Sequence, residues 1–184
     1  MKKRLKIYNV RRRKSSLHEK GETMEEKLAV LYNKMASAII SLIPVEWEEI
    51  YYLGEVEEGK KSWSSVFFFK DLETQKYIKS HDITEIYPGF NMNYGLELNK
   101  IDNVLLEIYD CFLENHQPVW EQLKFNLKNT GDFKINFSYD VMKKSEYGQV
   151  EREIIWAYES FGMIPQNSPF LKSILDNYLK KNQK

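Results

Sequence analysis

The side chains that could take part in catalysis or metal binding are few and scattered. The sequence has one cysteine, Cys111, and three histidines, His18, His81 and His116. A single cysteine excludes a disulfide framework, and the wide spacing of the histidines argues against structural zinc. The sequence has no phosphate-binding loop, dinucleotide fingerprint or serine-hydrolase elbow. We therefore predict no catalytic residue, no cofactor site and no metal site.

Three local arrangements could still support chemistry, and each has a simpler interpretation. Cys111 lies five residues before His116, a spacing that does not place two side chains well on one helix face, so a structural thiol is expected. His81 beside Asp82 could orient an imidazole, but a loop histidine explains this pair as well. Asp140 follows a predicted strand, where it could cap a turn with its own backbone. A small hydrolase that uses Asp140 and His81 stays open as an alternative.

The most unusual charged feature of the chain is a group of acids in region 46–58. Six glutamates fall within these thirteen residues, which contain no Lys or Arg: Glu46, Glu48, Glu49, Glu55, Glu57 and Glu58. Their charges could belong to a solvated hairpin edge and discourage strand-to-strand aggregation. They could instead bind a basic partner, because opposite potentials accelerate association and set specificity. We take these six glutamates as the candidate partner-binding residues.

The first half of the chain predicts one helix followed by a hairpin. Thr23 and Glu26 have the spacing of a capping box, and the apolar residues that follow recur at helical spacing until Pro44. Two stretches rich in β-branched and aromatic residues, 46–57 and 62–70, flank a short polar connection that contains glycine. Most of the glutamates should therefore lie on the first strand of a hairpin.

The second half predicts a helix, another hairpin and two further helices. Asn99 can cap a helix over about 100–115, and apolar and polar residues alternate through 123–139, with a turn between two strands. The last two helices are indicated by Gly162, a candidate C-cap, and by Pro169 at a first helical position.

The order of these elements predicts the α+β class. Hairpins imply antiparallel pairing, so we expect an antiparallel sheet of about four or five strands built from two hairpins, the fifth strand being a short one at Tyr77 and Ile78. About four helices should pack mainly on one face of this sheet.

The net charge of zero conceals two oppositely charged parts. Residues 1–20 hold nine Lys or Arg and one acid, a net of +8, whereas the other 164 residues hold 18 bases and 26 acids, a net of −8. We expect residues 1–23 to be a basic, flexible leader and residues 24–184 to form a single domain. The leader could also be translated sequence upstream of a natural start at Met24, or a basic arm of a nucleic-acid-binding regulator. Neither a secretory signal nor a membrane-spanning segment is predicted.

Three stretches of the sequence occur together in an order and spacing that is similar to a known family. They are MEEKLAVLYNKMASAIISLIPVEWEEIYYLGEV, GDFKINFSYD and EYGQVEREIIWAYESFGMIP. This combination resembles the YezG/EsaG-type antitoxins of Gram-positive bacteria, and the similarity runs from about Met24 to Pro165. No single motif in it is chemically diagnostic.

The resemblance implies a cytoplasmic immunity protein without catalytic residues, paired with a large secreted nuclease toxin of the type VII system. We therefore predict an antitoxin that binds the toxin's C-terminal nuclease domain and covers its DNA-binding or active-site surface. The family supplies no partner-binding residues. The six glutamates are chosen on charge alone, because a nuclease groove is basic in order to hold phosphates. No cofactor, membrane contact or direct nucleic-acid contact is expected.

Overall fold

A computed structural model describes residues 22–90, 93–166 and 168–182 of this chain. The described helices and strands are, in chain order, α1 (Met24–Ser41), β1 (Trp47–Val56), β2 (Trp63–Asp71), β3 (Tyr77–Lys79), α2 (Ile83–Ile86), α3 (Tyr94–Glu114), β4 (Gln122–Lys128), β5 (Phe133–Ser138), α4 (Val141–Lys144), α5 (Gln149–Phe161) and α6 (Pro169–Asn182). Short 3₁₀ turns follow β1 and β3. The predicted leader, residues 1–23, lies outside the described residues except for Glu22 and Thr23.

The chain divides into two compact units. The sheet unit ends at Asp140, and the helical unit begins at Val141. The prediction of a single domain over 24–184 stays a prediction.

One open antiparallel sheet organises the sheet unit, with the strand order β3-β2-β1-β4-β5. The two predicted hairpins, β1–β2 and β4–β5, are joined side by side because β1 also pairs with β4, with Tyr52 opposite Phe125. The α+β class is thus confirmed, with five strands and six helices in the described residues, two of these helices being only four residues long. One expectation about β1 is wrong: it is the central strand of the sheet, so its glutamates do not protect an edge.

Helices α1 and α3 pack on one face of the sheet. The apolar residues that contact them alternate along the strands, as Ile50, Tyr52 and Val56 do on β1. The two helices run antiparallel, since ion pairs join Lys27 to Glu114 and Lys34 to Glu107. Burial of this apolar face is the main source of stability for the sheet unit.

Gly54 allows α3 to lie unusually close to the central strand. A Cβ atom at this position would lie 2.5 Å from Cδ1 of Leu105 and 2.9 Å from the hydroxyl oxygen of Tyr52. Such distances are far shorter than van der Waals contact, so any larger residue must push the helix or the tyrosine aside. The absence of a side chain at position 54 is therefore part of the packing.

Local signals placed one helix start correctly and another wrongly. The Thr23–Glu26 capping box forms, with the Glu26 amide donating to Thr23 Oγ1 at 3.2 Å. Helix α3, in contrast, begins at Tyr94 after an N-cap at Asn93, so the predicted start at Asn99 is wrong. The hydroxyl of Tyr94 is responsible in part, because it donates a 2.7 Å hydrogen bond to the Ser80 carbonyl and anchors the first turn of the helix.

The helical unit is built around a hairpin of α5 and α6. Its own small core consists of Ile154, Ile174 and Leu175. Gly162 ends α5 with a φ of 72°, the left-handed cap that the sequence predicted. The Leu171 amide donates to Ser168 Oγ at 3.3 Å, so Ser168 caps the start of α6, directly before Pro169 at the first helical position that the sequence predicted.

Candidate functional site

The six candidate glutamates are spread along the whole length of the central strand, so they do not form one patch. Glu46 precedes β1, whereas Glu57 and Glu58 follow it. Because an extended chain rises by about 3.3 Å per residue, the two ends of β1 lie about 30 Å apart. The structure thus places these glutamates at two ends of the sheet, with three more between them.

The three glutamates within β1 are engaged in contacts inside the sheet unit. Glu48 forms an ion pair with Lys70 at 2.9 Å, and the hydrogen bond from that ammonium group lowers the pKa of Glu48. Glu49 accepts a hydrogen bond from the hydroxyl of Tyr51 at 3.0 Å. Glu55 is only 2% exposed, and its carboxylate accepts a 2.7 Å hydrogen bond from Nε2 of Gln122. Glu55 therefore cannot contact a partner directly in this conformation.

The end of the sheet at which β1 ends and β2 begins carries two exposed aromatic side chains. Trp63 is 47% exposed and Tyr139 is 48% exposed. We call this surface the hairpin end; it comprises Glu57, Glu58, Trp63, Tyr139 and Asp140. Backbone hydrogen bonds at 3.0 and 2.9 Å connect β1, β4 and β5 here, from the Val56 amide to the Glu121 carbonyl and from the Glu121 amide to the Ser138 carbonyl. The strand ends therefore form one connected surface.

The opposite end of the sheet is also acidic. We call it the Leu72 end; it comprises Glu46, Asp71, Leu72 and Glu73. A shallow depression of about 420 Å³ is lined by these residues and by Val45. Leu72 is 46% exposed, and its amide donates to the Glu46 carbonyl at 3.0 Å.

Asp71 holds the turn at the Leu72 end. Its carboxylate accepts hydrogen bonds from the Glu73 and Thr74 amides at 2.8 and 2.9 Å and from the Tyr87 hydroxyl at 3.1 Å. These donors favour the charged form and lower the pKa of Asp71, with the Thr74 amide contributing most. This buried acid is thus a structural group of the turn.

The residues considered for catalysis are not assembled into a site. His81 follows β3 and Asp140 follows β5, which are the two edge strands of the sheet, so about 19 Å separates them at about 4.8 Å per strand. Burial raises the pKa of the Cys111 thiol, which opposes formation of a reactive thiolate. Among the described residues, no three His, Cys, Asp or Glu side chains are grouped so as to hold a metal ion. Nor does any helix in those ranges combine the length and apolar character needed to cross a bilayer.

Trp63 and Tyr139 are two exposed residues of the hairpin end that sequence reasoning missed. Both occur in strongly β-forming stretches, where an aromatic residue predicts core. The one available signal was position, because Trp63 directly follows the polar turn and Tyr139 directly precedes Asp140. A residue at the end of a strand has fewer neighbours to cover it, so an aromatic side chain there can stay exposed.

Charge is distributed very unevenly along the chain after the basic segment 1–20. Residues 21–140 hold 11 Lys or Arg and 21 Asp or Glu, a net of −10, whereas residues 141–184 hold seven bases and five acids, a net of +2. Residues 21–140, which include the whole sheet, therefore carry a strong excess of negative charge.

This α+β chain can now be compared with known proteins. Residues 28–174 match the family described as "Immunity protein YezG-like", and the chain belongs to that family. It is 28% identical over 169 residues to the type VII secretion system protein EsaG of Staphylococcus aureus, covering 86% of this chain and 98% of that protein. It is also 28% identical over 165 residues to the immunity protein YezG of Bacillus spizizenii, covering 85% and 96% of the two chains.

Proposed function

We propose that this chain is an antitoxin that binds a secreted nuclease toxin and covers the surface with which the toxin binds or cleaves DNA. The observation that carries this proposal is membership of the YezG-like immunity protein family over residues 28–174. The name of the staphylococcal relative, a type VII secretion system protein, supports a toxin exported by that system. The antitoxin would act in the cytoplasm, where the DNA to be protected lies.

The proposed mechanism is occlusion driven by charge. A nuclease groove must be positively charged to hold phosphates, and residues 21–140, which include the whole sheet, have a net charge of −10. Opposite potentials accelerate encounter and disfavour wrong partners. Since Glu48, Glu49 and Glu55 are at least half-buried, whereas Glu46 and Glu58 are exposed, contact falls to the glutamates at the ends of β1.

This mechanism requires binding and no turnover. The separation of His81 from Asp140 across the sheet supports a protein that acts as a ligand of the toxin rather than as an enzyme, because one substrate could not reach both side chains.

Co-expression with the nuclease domain of a candidate toxin, sought in the reading frames that neighbour the gene for this chain, is the direct test. We expect cells to survive only when both proteins are made, the two to co-purify, and the purified chain to stop DNA cleavage. Association should slow as salt is raised, because screening weakens long-range attraction. A chain that neither co-purifies with the nuclease domain nor protects the cells would refute the proposal.

The net charge of +8 in residues 1–20 favours one other function, a nucleic-acid-binding regulator that uses this basic segment as an arm. Deleting residues 1–23 separates the two functions. An antitoxin should keep its protective activity after the deletion, whereas a regulator should lose DNA binding.

A further inference from the structure

We infer that the hairpin end of the sheet is the surface that binds the toxin, with the indole of Trp63 at the centre of the contact. The fitting partner surface is an apolar pocket rimmed by Lys and Arg. This inference rests on the proposed function and makes it specific, since it selects one of the two acidic ends of the sheet.

Trp63 is the exception among the tryptophans of this chain. The other three, Trp47, Trp120 and Trp156, are at most 9% exposed, whereas Trp63 is 47% exposed. Leaving so much apolar surface in water is unfavourable. Tryptophan is also among the residues most enriched at the energetic centres of protein interfaces, where a few side chains contribute most of the affinity.

The backbone that carries the indole is held in place before any partner arrives. Trp63 begins β2 opposite Val56, and the turn before it is closed by the Glu57 amide, which donates to the Ser62 carbonyl at 2.9 Å. The Ser62 hydroxyl also donates to the Glu57 carboxylate at 3.0 Å. A side chain mounted on a paired strand loses little backbone freedom on binding, which favours affinity.

A second aromatic residue extends the surface. Tyr139 follows the last residue of β5, and β2 and β5 are separated by three strand spacings, about 14 Å at about 4.8 Å each. An interface of ordinary size, about 800 Å² per partner, covers both aromatic residues.

The charges around these aromatics favour a basic protein as the partner. Three acids, Glu57, Glu58 and Asp140, lie at this end together with Lys60 and the exposed Lys61. The ammonium group of Lys60 is bound to the Asp110 carboxylate at 2.7 Å, so the acids outnumber the one other lysine of the turn. A surface of this composition repels the phosphates of a nucleic acid and attracts Lys and Arg side chains. The groove of a nuclease supplies such side chains.

The Leu72 end of the sheet provides a matched control. It resembles the hairpin end in having an exposed apolar residue, Leu72, beside acids, Glu46 and Glu73, on the same sheet unit. Leucine is under-represented among interface hot spots, however, whereas tryptophan is enriched. The two ends therefore carry comparable charge and differ in the aromatic anchor.

The experiment measures binding of the full chain and its variants to the purified toxin nuclease domain. Trp63→Ala should weaken binding about thirtyfold or more, as expected for a hot spot. Glu57→Lys with Glu58→Lys should slow association about tenfold at low salt. The control variants, Leu72→Ala and Glu46→Lys with Glu73→Lys, should each change affinity less than about threefold. Circular dichroism and thermal unfolding verify the fold of each variant.

Tyr139→Ala keeps the inference testable if Trp63→Ala does not fold, and it should weaken binding about fivefold or more. Loss of binding in the Leu72-end variants but not in the hairpin-end variants would overturn the inference and leave the antitoxin function intact. The inference would also fail if sedimentation showed a dimer of this chain that Trp63→Ala dissociates. Failure of the unaltered chain to bind the nuclease domain would instead refute the proposed function itself.

Discussion

The sheet unit and the helical unit differ in the size of their apolar cores, and the sequences that form them differ in net charge. Residues 21–140, which include the whole sheet, have a net charge of −10, whereas residues 141–184 have a net charge of +2. The sheet unit also has a large apolar face closed by α1 and α3, whereas the α5–α6 hairpin has a small core around Ile154, Ile174 and Leu175. A unit with a large core can tolerate the self-repulsion of many like charges, which makes the sheet unit the suitable place for an acidic binding surface.

Ion pairs do not remove this excess of charge. Lys27–Glu114 and Lys34–Glu107 connect the exposed sides of α1 and α3. Exposed pairs of this kind each contribute about 0–1 kcal/mol, so they orient the two helices more than they stabilise them. Ion pairing also leaves the sum of charges over residues 21–140 at −10, so this part of the chain keeps a negative potential.

The largest expected effect concerns the small core of the helical unit. Leu175→Ala removes a side chain that is 1% exposed and should cost about 3 kcal/mol of the free energy of unfolding, through lost burial and the cavity left behind. Denaturant unfolding measures this cost. Asp176→Ala, an exposed neighbour, is the matched control and should have little effect.

The same measurement tests the prediction that residues 24–184 form a single domain. A single domain should unfold in one cooperative transition, and Leu175→Ala should lower the denaturant concentration at the midpoint of that transition. Two separate transitions, of which only one moves, would show that the sheet unit and the helical unit unfold independently and that this prediction is wrong.

A smaller loss of unfolding free energy is expected when an added side-chain atom crowds the core of the sheet unit. Gly54→Ala places a Cβ atom against Leu105 and the Tyr52 hydroxyl and should cost about 2 kcal/mol as an overpacked core. Gly95→Ala in α3 is the control: nothing lies within 4 Å of its added Cβ, and alanine favours a helix by about 0.5 kcal/mol or more. Equal stabilities of the two variants would mean that α3 can move away from β1 at little cost.

The smallest expected change in unfolding free energy is that of Asp71→Asn, and it depends on pH. Asp71→Asn weakens the hydrogen bonds to the Glu73 and Thr74 amides and should cost about 1 kcal/mol at pH 7. Because the folded state lowers the pKa of Asp71, its stabilisation is present above the ordinary carboxyl pKa of about 3.9. It is lost as the pH falls through the lower, folded pKa.

The difference in unfolding free energy between the unaltered chain and Asp71→Asn should therefore shrink as the solution is acidified below about pH 4. Glu73→Gln, which changes an exposed neighbour, serves as the control. A difference that stays constant down to low pH would show that the Asp71 charge does not stabilise the turn.

Local sequence signals predicted the elements well wherever the cause of the structure is itself local. The Thr23–Glu26 box and the Gly162 cap satisfy backbone groups within their own helices, and the alternation in 123–139 produces β4 and β5. The start of α3 was predicted wrongly because Tyr94 is anchored by Ser80, fourteen residues earlier. The four-residue helices α2 and α4 are too short to show a hydrophobic period.

The sequence by itself determined the α+β class, the two hairpins and the contrast between a basic first segment and an acidic remainder, since these follow from residue type and spacing along the chain. Only the tertiary structure decided which acids face solvent. Pairing of β1 with both β2 and β4 makes β1 central, and this buries Glu55 while Glu46, Glu57 and Glu58 remain at the ends. Exposure of Trp63 was decided in the same way, because the neighbours that cover or uncover a side chain come from distant parts of the chain.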